Sequence, residues 1–104
     1  MAPPRFVSAL RLVLDRPSQD CPVHWKIIDG LHCVCADREF DPSLHLPCTK
    51  ARYFGTFVRQ MHNHNFKSVR PRVWHHPLFR PGCPWLDGGI ELRRRVQRRT
   101  ESRA

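Results

Sequence analysis

A short stretch at the centre of the chain carries the side chains best suited to chemistry. Phe57 and Val58 are apolar, and Arg59 follows them directly. On a helix, Phe57, Val58 and Met61 form one apolar stripe, while Arg59 projects outward. A buried stripe behind an arginine-bearing face is typical of a helix that enters the major groove of DNA, where Arg can donate two hydrogen bonds to guanine. The spacing therefore predicts a DNA-reading helix, which we place at residues 54–64.

The positive charge of the chain is confined to its second half. Residues 1–51 carry six basic and six acidic side chains, whereas residues 52–104 carry twelve basic and three acidic ones, which accounts for the net charge of +9. Fifteen of the eighteen basic residues are arginines, which bind phosphate and guanine through a planar fork. This asymmetry indicates a face that binds a polyanion. A solvated basic surface is the alternative that composition leaves open.

The DNA-reading helix must be held in position by other helices and strands, which the sequence also predicts. Apolar residues at positions 6, 10 and 13 predict a first helix that closes at Pro17. Residues 23–28 are rich in β-branched and aromatic side chains, and Asp29-Gly30 then predicts a tight hairpin turn into a return strand at 31–35. A short second helix is expected to begin at a cap formed by Asp37.

That second helix would contain Phe40 and Leu44. Pro42 would fall inside it and remove an amide donor, so the helix is expected to be short or irregular. After the DNA-reading helix, Asn65 can adopt the left-handed conformation that ends a helix.

The sequence F-V-R-Q at 57–60, followed by H-P-x-F at 76–79, resembles the DNA-binding domain of the heat shock factor family, a winged helix-turn-helix module. Trp25, Phe40 and Phe66 match apolar landmarks of that family, and the resemblance covers residues 6 to 95. It implies an α+β fold with a three-helix core and a small antiparallel sheet. The implied division is a disordered N-terminus at 1–5, a DNA-binding domain at 6–92 and a basic tail at 93–104.

Two departures from the family pattern have structural consequences. Only residues 70–72 lie between Val69 and Val73. The long flexible wing that the family has at this point is therefore essentially missing. Arg11 stands where the family has a core tryptophan, and a charged group there is expected to reach the surface or destabilise the fold.

The resemblance also implies which residues contact DNA. Arg59 matches the guanine-reading arginine, and Thr56 keeps a hydroxyl that could bind phosphate or cap the helix. His62 and Asn63 project outward, and a histidine there or at position 64 could donate to phosphate. Further expected DNA contacts are Lys50, Arg52 and Lys67.

The implied function is that of a nuclear, sequence-specific transcription factor without enzymatic activity. Its expected partners are double-stranded DNA with G-A-A-type repeats and other proteins of the family. Because no heptad array follows the domain, the chain is expected to be a monomer on its own. A final arginine cluster is expected to act as a nuclear import signal or a second nucleic-acid patch: Arg93, Arg94, Arg95, Arg98 and Arg99. Two alternatives remain, namely a degenerate relative that acts through protein contacts and a basic RNA-binding protein.

Other classes of function find little support in the sequence. The five cysteines are an odd number without disulfide-framework spacing, which favours a reduced, intracellular protein. No Cys and His pairs have zinc-finger spacing, so no metal or cofactor is expected. Catalytic motifs are missing, and the longest apolar stretch, at 6–14, is interrupted by Arg11, so no membrane association is expected.

Overall fold

The computed structural model describes residues 2–15, 22–46, 49 and 51–92. They form an α+β fold, as predicted, in which helices cover one face of a four-stranded antiparallel sheet. The elements in chain order are α1 (Arg5–Leu14), β1 (Val23–Ile28), β2 (Leu31–Ala36), α2 (Pro42–His45), α3 (Phe54–Asn63), β3 (Lys67–Arg70), β4 (Val73–His75) and a 3₁₀ helix (Pro84–Gly89). These residues therefore contain four helical segments rather than the expected three. None of their helices is long and apolar enough to cross a membrane.

The sheet is built on the predicted hairpin. Asp29 and Gly30 have φ angles of 51° and 79°, as a tight two-residue turn requires, and they place Ile28 opposite Leu31. The return strand extends one residue beyond the prediction, to Ala36. The strand order is β1-β2-β4-β3, so β4 pairs with the middle of the sheet and β3 forms its far edge.

The core lies between the helices and the inner face of the sheet. Phe57 of α3 is fully buried at its centre, and its ring contacts those of Phe40 and Trp74 at centroid distances of 4.8 and 5.4 Å. Phe6 of α1 packs on the same ring at 5.8 Å. These ring contacts fix α3 against β4, because the side chains are closely packed and a shift of either element would open gaps between the rings.

The second helix differs from its prediction. Its N-cap is Asp41, whose carboxylate accepts a hydrogen bond from the Ser43 amide at 3.0 Å, rather than Asp37. Pro42 therefore occupies the first helical position, where its missing N–H would have no partner within the helix. Phe40 precedes the helix and is buried, while Leu44 lies within it and is exposed. The helix is short, as expected.

The segment after α3 folds into a tight hairpin. Strand β3, which the sequence analysis did not identify, is joined to β4 by Pro71 and Arg72 alone, so the long wing is replaced by a two-residue connection. Arg72 has a φ of 64°, and its guanidinium donates to the carbonyls of Ala36 at 2.8 Å and Asp37 at 2.6 Å. The same group lies 4.1 Å from the centre of the Phe54 ring. The hairpin is thereby attached to the first turn of α3.

Arg11 does not reach the surface, which was one of the two outcomes expected for a charge at this position. Its side chain is only 7% exposed and forms a two-pronged ion pair with Asp87, which is 3% exposed. The Nε and Nη2 atoms donate to the two carboxylate oxygens at 2.9 and 2.6 Å, and Nη1 donates to the Arg80 carbonyl at 2.7 Å. The hydrogen bonds to Asp87 raise the pKa of Arg11. The charge is tolerated because a partner 76 positions away neutralises it inside the fold.

Candidate nucleic-acid interface

Helix α3 has the two faces that its sequence predicts. Phe57 and Met61 are fully buried, whereas Arg59 and His62 are exposed. Val58 is only partly buried at the margin of the core. The apolar stripe therefore holds the helix in place and leaves the guanidinium of Arg59 on the solvent side.

The exposed face of α3 contains polar side chains at helical spacing. Thr56 lies three residues before Arg59, and Asn63 lies four residues after it, so the three occupy neighbouring positions on one side of the helix. His62, three residues after Arg59, borders the same side. Thr56 and Asn63 are half-buried. Thr56 does not cap the helix, because the N-cap residue is Tyr53 and no side-chain hydrogen bond is made there.

Both ends of α3 carry exposed cations. Arg52 precedes the helix, and Lys67 begins the strand that follows it. Lys67 and His62 line an open depression beyond the C-terminal end of the helix, together with Ser68. Cations on both sides of an exposed helix can neutralise successive phosphates of a nucleic acid. The other predicted contacts lie outside the described residues: Lys50, Arg93, Arg94, Arg95, Arg98 and Arg99.

The end of α3 shows that one histidine belongs to the core. His64 is buried, and its Nδ1 donates to the Gln60 carbonyl at 2.7 Å, while its ring stacks on Phe6 at 5.0 Å. Burial lowers its pKa, so the neutral form is favoured. The expectation that a histidine at position 64 could donate to phosphate is therefore wrong, because the ring faces inward. Asn65 has a φ of 66°, which confirms the predicted left-handed end of the helix.

Two arginines, one from each half of the chain, serve inside the fold rather than on the basic surface. Arg11 is paired with Asp87, and Arg72 binds backbone carbonyls. Within the described part of the chain, the exposed basic side chains on or flanking α3 are Arg52, Arg59 and Lys67, and Arg70 is exposed on the edge strand β3. An edge strand bearing cations extends the positive surface beyond the helix.

A second group of side chains was missed by the sequence analysis. His24, Cys35 and Asp37 place one potential metal-ligand atom each within 4.8 Å of one another. The hairpin turn was a usable signal: a two-residue turn at Asp29-Gly30 forces His24 to pair with Cys35. Spacing rules for zinc fingers do not detect this arrangement, because its ligands come together through strand register.

Comparison with known proteins gives one consistent result. The chain is 33% identical over 73 residues to two plant proteins named "Heat shock factor protein HSF8", one from Solanum peruvianum and one from Solanum lycopersicum. The matched region is 70% of this chain but only 14% of each relative. No family model matches the chain. The similarity thus relates most of this chain to a small part of much longer proteins.

Proposed function

We propose that this chain is a DNA-binding domain of heat shock factor type, with a winged helix-turn-helix fold, and that α3 reads sequence in the major groove. The observation that carries the proposal is the placement of Arg59 on the exposed face of α3, opposite the fully buried Phe57 and Met61. The similarity to plant heat shock factor proteins supports it independently of the charge distribution.

The proposed mechanism follows from the dimensions of α3. Ten residues make a helix of about 15 Å, which can lie in a major groove about 12 Å wide. Arg59 would then donate two hydrogen bonds to guanine. Asn63 and His62 would contact neighbouring base edges or phosphates, while Arg52 and Lys67 would bind phosphates and fix the register. The implied target is a G-A-A-type repeat.

The biological setting follows from the same proposal. A transcription factor of this type acts in the nucleus and carries out no chemical reaction. A single domain makes few base contacts, so as a monomer it would bind weakly, and association with other heat shock factor proteins would raise its affinity by multivalency.

A second candidate function is protein contact by a relative that has lost sequence recognition. Three large apolar side chains, Leu12, Tyr53 and Trp85, are 68%, 75% and 73% exposed. Tyrosine and tryptophan are enriched where proteins bind one another, although single exposed residues are common. This candidate predicts equal binding to all DNA sequences.

Fluorescence anisotropy separates the two candidates. The chain is titrated against a G-A-A-repeat duplex and a scrambled duplex of equal length, across a salt series. The proposal predicts tighter binding to the repeat and a loss of roughly 5- to 150-fold in that preference for Arg59→Ala, which corresponds to the 1–3 kcal/mol of one arginine–guanine pair. Arg80→Ala is the matched control, since it removes an exposed arginine outside α3.

The outcomes are distinct. A preference for the repeat that survives Arg80→Ala and disappears in Arg59→Ala supports recognition by α3. If binding to both duplexes is equal and steeply salt-dependent, the chain binds DNA through its positive charge alone and does not recognise sequence. Tighter binding to structured RNA than to either duplex would reject the DNA proposal.

A further inference from the structure

The outer face of the sheet carries side chains that the proposed DNA contact does not use. His24 in β1 pairs directly with Cys35 in β2, so both side chains leave the sheet on the same side. The next pair, Trp25 and Val34, points the other way and packs with the helices. His24 and Cys35 therefore lie on the face opposite the helical layer.

Asp37 completes the group just beyond the end of β2. One potential ligand atom from each of His24, Cys35 and Asp37 lies within 4.8 Å of the others, and His24 Nδ1 is 3.9 Å from Asp37 Oδ2. An imidazole nitrogen, a thiolate and a carboxylate are the three ligand types that Zn²⁺ binds. Their combined charge, once the thiol loses its proton, is −2, which balances a divalent cation.

The backbone already holds these three positions. His24 and Cys35 are fixed by the β1–β2 ladder, and the Asp37 amide donates to the Pro22 carbonyl at 2.7 Å. The Asp37 carbonyl accepts from Arg72 at 2.6 Å. The three ligand atoms already lie within 4.8 Å of one another, and side-chain movements would have to bring each of them to the 2.0–2.3 Å bonds that zinc makes.

The group is also accessible. The side chains of His24 and Asp37 are 44% and 46% exposed, while Cys35 is buried. An ion can therefore reach two of the three ligands from solvent. Burial and the neighbouring Asp37 carboxylate raise the pKa of the Cys35 thiol, so metal binding must release a proton.

We propose that His24, Cys35 and Asp37 form a Zn²⁺ site with a fourth position open to water or to an external ligand. Three protein ligands and one open position differ from structural zinc sites, in which four protein ligands close the coordination shell. His24 and Cys35 lie on the sheet face opposite the helices, so the site does not overlap the surface proposed to contact DNA.

Cobalt(II) substitution tests this proposal directly. The purified, chelator-treated chain is titrated with Co²⁺ and then with Zn²⁺ while the absorption spectrum is recorded. We expect one equivalent of Co²⁺ to produce a sulfur-to-metal charge-transfer band and the visible bands of tetrahedral cobalt, and Zn²⁺ to abolish both. Circular dichroism of each variant verifies its fold.

Matched variants identify the ligands. Cys35→Ser should remove the charge-transfer band, whereas Cys33→Ser, which changes the neighbouring cysteine on the same face, should leave it intact. His24→Gln and Asp37→Asn alter half-exposed groups and should each weaken binding roughly tenfold or more, since even indirect partners of a metal commonly contribute that much. These two variants keep the test decisive if Cys35→Ser does not fold.

Three results would overturn the proposal: no cobalt band in the folded chain, a band that persists in Cys35→Ser, or unchanged affinity in both His24→Gln and Asp37→Asn. The last two would assign any bound metal to other side chains.

Discussion

The buried ion pair between Arg11 and Asp87 provides the sharpest test of how this fold is held together. We expect Asp87→Asn to lower the free energy of unfolding by about 3 kcal/mol or more, because removing one partner of a buried pair typically costs 3–5 kcal/mol. The substitution keeps the side-chain volume, so no cavity contributes. It removes the negative charge and replaces one of the two accepting oxygens by an NH2 group that cannot accept from the guanidinium, which keeps the carbonyl of Arg80 at 2.7 Å and a weak contact to that of Cys83 at 3.4 Å.

A double variant that removes both charges should behave differently. Arg11→Met with Asp87→Leu removes both charges and fills the space with apolar groups, next to the rings of Phe79 and Trp25 that now flank the guanidinium at 4.6 and 5.9 Å. Replacement of a buried pair by packed apolar side chains is often neutral or stabilising. We therefore expect the double variant to be more stable than Asp87→Asn.

Urea denaturation followed by circular dichroism measures these differences. Glu91→Gln is the control, since it removes an exposed carboxylate close in sequence to Asp87. Total stabilities of small domains are about 5–15 kcal/mol, so a loss of this size is readily measured as a shift in the urea midpoint. A loss below about 1 kcal/mol for Asp87→Asn, similar to that of a surface pair, would refute the burial argument.

Two further predictions concern the end of α3 and the buried histidines. Asn65→Ala should be about 1 kcal/mol less stable than Asn65→Gly, because only glycine is unstrained at a φ of 66° and both variants lose the same side-chain contact; equal urea midpoints would contradict this. Burial lowers the pKa of His64 and His76, so the unfolded chain takes up protons near the ordinary value of about 6.5 before the folded one does. The free energy of unfolding should therefore reach its full value above that pH and decrease below it. A urea midpoint that rises as the pH is lowered from about 7 to 5.5 would contradict this pH dependence.

Sequence patterns predicted those helices and turns that are determined by residues close together in the chain. The apolar spacing of α1 and α3 and the turn at Asp29-Gly30 each lie within one segment, and the structure confirms all three. The cap of α2 was misplaced because Asp37 and Asp41 are both acceptable caps. The decision between them depends on Pro42, which fits only at the start of a helix.

Contacts between residues far apart in the sequence could not be predicted from local patterns. Nothing near Arg11 in the sequence indicates a partner at Asp87, so burial of the charge was not foreseen. His64 likewise stacks on Phe6, 58 positions earlier, and this contact decides that it faces the core. The group formed by His24, Cys35 and Asp37 is an intermediate case, since the hairpin register alone could have revealed its first pair. The DNA contacts of Arg59 and its neighbours stay predictions.

The two-residue connection between β3 and β4 affects how much backbone entropy is lost when a complex forms at this end of the molecule. Arg72 holds the hairpin against Ala36, Asp37 and the ring of Phe54, so the hairpin and the first turn of α3 behave as one unit. A long loop that becomes ordered on binding loses about 1–2 kcal/mol of backbone entropy per residue. A hairpin that is already ordered avoids this loss, and the heat-capacity change on association should then reflect only the area of the two preformed surfaces.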